Sequence, residues 1–220
     1  MKESINKTFN HFKVHTQYSI CEGAIKIEDL KDFCKENRIN SVGLSDTSNL
    51  CGSLEFSENI SKAGSQPIIG TQINFTYEKT TGLLPLIALN KVGYKRILEL
   101  SSQSYLQNES ISDPNVDISE LFKNTEGVIA FSGTIQGLFG KLFHKGKFED
   151  ITKLYKKLSS LMSDRFYLEI QRHGDDTETS FEKHNLKQSN DLKIPIIATN
   201  EVFYIHKDMY DAHDALMCIG

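Results

Sequence analysis

The sequence predicts an α/β protein, on two observations. Short apolar runs bounded by polar residues or Gly alternate with helical patterns nearly from end to end. One of those helical patterns, Phe148 to Met162, carries Phe148, Ile151, Leu154, Tyr155, Leu158 and Leu161 on one stripe and Lys153, Lys156 and Lys157 opposite, the face of a helix that covers a sheet. In chain order, a strand at Phe12 to His15 precedes a helix at Ile27 to Asn37, and a strand at Ser41 to Ser45 precedes a helix at Leu50 to Ala63. Strands at Pro67 to Phe75 and Leu83 to Leu89 lead to a helix at Val92 to Leu106. The segment Gln107 to Asp117 is rich in Ser, Asn and Asp, whose side chains compete for backbone hydrogen bonds, and reads as a loop or insertion. A short helix at Ile118 to Phe122, a strand at Gly127 to Phe131 and helices at Ile135 to Phe143 and Phe148 to Met162 follow. The series ends with a strand at Phe166 to Ile170, a helix at Thr179 to Leu192, a strand at Pro195 to Thr199 and a last helical pattern at Lys207 to Ile219. Similar patterns flank the loop on both sides, so residues 1–220 are expected to form one domain, cut from a longer chain.

The 220 residues are 39% hydrophobic with a mean hydropathy of −0.36, ordinary for a globular protein able to bury a sizeable core. The apolar runs, Leu83 to Leu89 among them, fall far short of the roughly 20 residues of a membrane span. Met1 to Phe9 has no apolar segment of a secretory signal, which points to a cytoplasmic location. Cys21, Cys34, Cys51 and Cys218 make no CxxC pair, as expected of reduced thiols used for packing. With 25 basic against 29 acidic residues the formal charge is −4, so the chain as a whole carries no electrostatic footprint for nucleic acid.

If the strands close a barrel, reacting groups belong where strands end, and these ends are polar. They carry Val14-His15-Thr16, Leu44-Ser45-Asp46, Gly70-Thr71-Gln72, Ser132-Gly133-Thr134, Gln171-Arg172-His173 and Thr199-Asn200-Glu201. Imidazole and carboxylate are the usual protein donors to Zn²⁺ and Mn²⁺. The plainer alternative is capping, with Ser45 and Asp46 opening the next helix and Thr199-Asn200 turning the chain. His144 suits a helix carboxyl end, His184 a solvated helix face, and His206 and His213 are too far apart for an HxxxH pair. The glycines form neither GxGxxG nor a phosphate-binding loop, and no base accompanies Cys21 or Cys34 as a nucleophile.

The stretch His11-Phe-Lys-Val-His15-Thr-Gln-Tyr-Ser19 with Glu22-Gly23-Ala24 resembles the opening motif of the polymerase and histidinol phosphatase (PHP) domain family, in the branch at the amino terminus of bacterial DNA polymerase III alpha subunits. The resemblance continues, in the family's order, through Leu44-Ser-Asp46 to Gly52, Pro67-Ile-Ile-Gly70, Gly93-Tyr94, Glu126 to Gly133, Asp164 to Gly174, Ile194 to Asn200 and Ala212-His213-Asp214. It implies a distorted seven-stranded β/α barrel. It also implies, in active members, a cluster of metal ions that hydrolyses phosphoesters, in some polymerases as a 3′ to 5′ proofreading activity.

Carried over residue by residue, the resemblance leaves His15, Asp46 and His173 as matching ligands and Glu201 where the family has Asp. Five positions depart: Lys13, Thr47, Gln72, Thr134 and Phe203 stand where His, His, Glu, Cys and His are expected. Too few donors remain to balance a multinuclear centre, and a single weakly held Zn or Mn ion at His15, Asp46, His173 and Glu201 is the most that set could keep. The Lys13 ammonium is expected to repel a cation and to pair instead with Asp46 or Glu201.

This eroded pattern resembles the proteobacterial type, which implies a non-catalytic platform that supports the polymerase and docks a separate proofreading exonuclease subunit beside other replisome subunits. DNA would then be contacted mainly by polymerase sequence beyond Gly220. The alternative is a metal-dependent phosphoesterase or 3′ to 5′ exonuclease with a reduced ligand set. A stand-alone phosphatase of the histidinol phosphate kind is disfavoured, because the matching blocks are those of the polymerase branch.

Overall fold

The computed structural model describes residues 9–107, 113–174 and 176–219. The strands are β1 (Lys13–Val14), β2 (Ser41–Gly43), β3 (Asp46–Thr47), β4 (Gln66–Ile68), β5 (Gly70–Tyr77), β6 (Thr80–Ala88), β7 (Val116–Asp117), β8 (Val128–Phe131), β9 (Phe166–Ile170), β10 (Ile196–Ala198) and β11 (Glu201–Val202). The helices are α1 (Ile27–Glu36), α2 (Ser53–Lys62), α3 (Lys91–Leu106), α4 (Ile118–Lys123), α5 (Leu138–His144), α6 (Phe148–Met162), α7 (Asp176–Leu192) and α8 (Tyr210–Met217). Among the described residues no helix is long and apolar enough to cross a membrane.

Three of the expected strands are broken. Ser41 to Ser45 becomes β2 and β3, Pro67 to Phe75 breaks at Ile69 into β4 and β5, and the strand at Pro195 resumes after Thr199-Asn200 as β11. With β7 set aside, since it pairs only with β5 off the ring, counting each broken strand as one stave gives seven. The path β10-β9-β8-β6-β5-β3 continues through the β2–β4 pair, a parallel bridge from Leu44 to Val14, and the β1–β11 pair back to the last stave, so the ring closes.

The distortion is β6. It runs antiparallel to both neighbours, Gly70 opposite Ile87 and Leu86 opposite Ala130, whereas every other pairing in the ring is parallel. The cause is local, since only Glu78 and Lys79 separate β5 from β6 and so short a link can join only antiparallel strands. Within the expected loop, residues 108–112 lie outside the described residues, while Val116–Asp117 pairs with β5 and the Asp117 side chain caps α4 by accepting from the Ser119 amide.

Two apolar clusters fill the fold. The larger joins β5, β6, β8 and β9 to the helices that cover them, with Phe75, Phe139, Tyr155 and Phe166 fully buried. The smaller lies under α1 and α2 and includes Cys34, whereas Cys51 and Cys218 are exposed, so the packing role expected of the cysteines holds for Cys34. On α6 the buried stripe is Ile151, Leu154, Tyr155, Leu158 and Met162, and the expected Phe148 stays 48% exposed. The conjunction of Gly93 and Gly127 has a steric reason: a Cβ on Gly93 would sit 1.8 Å from the Gly127 carbonyl oxygen, so only glycine lets α3 approach the start of β8.

Candidate functional site

The polar strand ends meet as the sequence suggests, but around a cation supplied by the chain. Lys13 of β1 is 0% exposed, and its Nζ lies 3.0 Å from Glu169 Oε1 of β9 and 3.1 Å from Glu201 Oε1 of β11. Register makes this contact, because β1 pairs with β11 so that Lys13 stands opposite Glu201. Glu169 Oε1 also accepts from Gln171 Nε2 at 3.0 Å and from the Thr199 hydroxyl. Burial works against the Lys13 ammonium, yet Glu169 and Glu201 raise its pKa above the ordinary lysine value. Burial likewise works against the Glu201 carboxylate, and the Lys13 charge, with His15 and Gln72 beside it, outweighs that and holds the carboxyl well below the usual range.

Two of the four candidate ligands, His15 and Glu201, join this network. His15 Nε2 lies 3.4 Å from Glu201 Oε1 and 3.0 Å from Gln72 Nε2, while Gln72 donates to Glu201 at 2.5 Å. Asp46, the other carboxylate offered to Lys13, is engaged elsewhere: Oδ1 accepts from the Thr16 amide at 2.6 Å and the Ser19 hydroxyl at 2.7 Å, and Oδ2 from the Thr16 hydroxyl at 2.8 Å. Asp46 therefore pins the turn after β1. Neither it nor Ser45 caps α2, whose first-turn boundary falls at Gly52 without a side-chain cap. His173 stands apart, its side chain 49% exposed and Nδ1 2.7 Å from Glu178 Oε1. It shares only the rim of a cleft of about 680 Å³ with Glu201 and Phe203.

Each substituted position is occupied by a group with a structural contact. Thr47 donates to Glu22 Oε2 at 2.5 Å, Thr134 Oγ1 accepts from the Gln136 amide at 3.1 Å, and the Phe203 ring stacks on His15 with centroids 4.4 Å apart. A family metal cluster does not fit this arrangement. Both Asp46 oxygens are turned to the Thr16–Ser19 turn, Glu201 Oε1 is held by Lys13 and Gln72, His173 faces Glu178, and an ammonium lies between two carboxylates. Among the described residues no group of three His, Cys, Asp or Glu side chains is placed to hold an ion.

Glu169 is the residue that strand-end reasoning missed. Its signal was an ionisable group inside the apolar run Phe166-Tyr-Leu-Glu-Ile170, a placement that calls for a buried partner. A second buried link supports it from behind, with the Tyr155 hydroxyl donating to Asn185 at 2.9 Å and Asn185 to the Glu169 carbonyl at 3.1 Å. His184 is a correction: it is half-buried against Phe143 and Phe148, not on a solvated face. His213 donates to the Glu22 carbonyl at 2.8 Å and has no partner imidazole at His206.

Comparison with known proteins bears on the family and the fold. The PHP domain family profile matches residues 11–173. The chain is 34% identical over 229 residues to the DNA polymerase III subunit alpha of Caulobacter vibrioides, covering 100% of this chain and 20% of that protein. It is 35% identical over 213 residues to that of Rickettsia felis, covering 96% of this chain and 18% of that protein. The chain thus spans about a fifth of the length of these relatives. A solved protein of Bifidobacterium adolescentis described as a metal-dependent phosphoesterase superposes with a TM-score of 0.57 at 11% identity, over 94% of this chain and 96% of that one, a likeness of fold alone. The family match over most of the chain establishes that this chain belongs to the PHP domain family, and along its length the chain is similar to a segment of DNA polymerase III alpha subunits.

Proposed function

We propose that this chain is the amino-terminal PHP domain of a replicative DNA polymerase III alpha subunit and that it acts as a non-catalytic scaffold. Residues 1–220 would form one domain of a cytoplasmic DNA-directed DNA polymerase, whose polymerising carboxylates and main DNA contacts lie in other parts of the protein. In this reading the domain supports the polymerase and docks a proofreading exonuclease subunit of the replisome. The observation that carries the non-catalytic reading is Lys13, itself at a ligand position of the family, whose ammonium neutralises Glu169 and Glu201 beside His15. A buried cation built into the chain performs the charge compensation that a metal performs elsewhere, but it brings neither an activated water nor a Lewis acid.

The test is elemental analysis of Zn, Mn and Fe in the purified chain, together with hydrolysis of single-stranded DNA with each metal added. The expected result is less than one metal ion per chain and no hydrolysis above the His15→Ala background. Two or more tightly held ions, with a nuclease activity lost in His15→Ala, would overturn the reading in favour of a phosphoesterase. Docking is checked separately by pull-down of the exonuclease subunit, and failure to bind would remove that part alone.

A further inference from the structure

A groove of about 980 Å³ runs along the outer side of α6, away from the Lys13 network. Its floor is apolar and comes from three elements: Tyr77 of β5, Phe122 of α4, and Phe148 with Leu154 of α6. Phe148 leaves 48% of its surface exposed there, although its position in the helical repeat suits burial. One wall is basic. Lys153, Lys156 and Lys157 are exposed on neighbouring turns of α6, and none has an ion-pair partner among the described residues. Lys147, by contrast, is engaged by Glu78 and Asp150 at the start of the same helix. A solvated lysine face is common and means little alone, but here it borders an aromatic floor, and the two features call for one ligand with both characters.

We propose that this groove is a docking site for an acidic peptide segment of a partner protein. An apolar side chain of the segment would seat on the Phe122 and Phe148 floor while its carboxylates meet the three lysines. A protein segment suits the groove better than a nucleic acid, because its carboxylates can be spaced to meet the three lysines and to leave out Glu149 at the amino-terminal end, whereas a phosphate backbone carries a charge at every unit. An apolar floor is covered productively by an aliphatic or aromatic side chain, which then dominates affinity as a central anchor. The proposal is independent of the non-catalytic reading, because no residue of the groove belongs to the strand-end network.

The experiment pans a random-peptide phage library on the whole chain, with counter-selection on a Lys153→Glu, Lys156→Glu, Lys157→Glu triple variant. Selected peptides are then titrated by fluorescence anisotropy against wild type, the triple variant, a triple Lys→Gln variant and Phe148→Ser, with a 15-nucleotide oligo-dT in parallel. All substitutions are at exposed positions, and unchanged melting curves confirm folding. The expected result is peptides with an excess of Asp and Glu around a large apolar residue, bound at least about tenfold more weakly by both the triple charge-reversal and Phe148→Ser variants. The proposal is overturned if no peptide distinguishes wild type from the triple variant, if the distinguishing peptides lack an acidic excess, or if oligo-dT is the only probe that distinguishes them.

Discussion

The apolar core beneath α5 and α6 and the polar network around Lys13 both lie inside the fold, but they are held together by different rules. Around Phe139 each side chain touches many others of the same kind, so its contribution is a sum of small contacts and area removed from water. Around Lys13 each charge depends on two or three named partners, and a buried group that loses one stays desolvated without compensation. The core therefore degrades in proportion to volume removed, whereas the network depends on whether its charges balance.

The two largest expected effects are similar in size and different in kind. Phe139→Ala leaves a cavity against Tyr155 and is expected to cost about 3–5 kcal/mol in chemical denaturation, with no second substitution restoring it short of refilling the space. Lys13→Met keeps the volume but leaves Glu169 and Glu201 without their cation, and is also expected to cost about 3–5 kcal/mol. Adding Glu169→Gln and Glu201→Gln to Lys13→Met should recover most of the loss. If the triple variant is no better than Lys13→Met, charge balance is not what holds the network together.

Acidity should separate the regions next. The folded Glu201 pKa lies below its unfolded value of about 4.3, so its stabilisation is present above that value and is lost as pH falls towards the folded pKa. The folded Lys13 pKa is raised, so its contribution is present below the unfolded value of about 10.4 and is lost as pH rises through the folded pKa. Melting temperature in the wild type should accordingly fall at both extremes. Lys13→Met should weaken the acid limb, because the charge that holds the Glu201 carboxyl down is gone, while Phe139→Ala should keep the wild-type profile. A Lys13→Met curve parallel to wild type would place the Lys13 charge outside the balance. The smallest effect belongs to neither region: Asn90→Ala removes the side chain that accepts from the Val92 and Gly93 amides and should cost about 1 kcal/mol, affecting the start of α3 alone.

Much of the fold was legible in the sequence because it is written locally. Apolar runs and helical stripes placed α1, α3, α6, α7, β8 and β9 within a few residues, and the substituted positions Lys13, Thr47, Gln72, Thr134 and Phe203 stood out against a family pattern. The breaks at Ser45 and Ile69 were not legible, since each lies in a run with ordinary strand composition and is set by which neighbour it must meet around the ring, whereas the turn at Thr199-Asn200 was one the sequence offered. The site divides along the same line. The sequence alone determined that the chain is α/β, that it carries the blocks of the PHP family, and that donors have been replaced. Only the tertiary structure decided that Lys13 turns to Glu169, 156 positions away, that Asp46 faces Thr16 and Ser19, and that His173 pairs with Glu178. The physical reason is that burial and partnership of a charge depend on distances between strands far apart in the chain, which barrel closure sets and residue spacing does not.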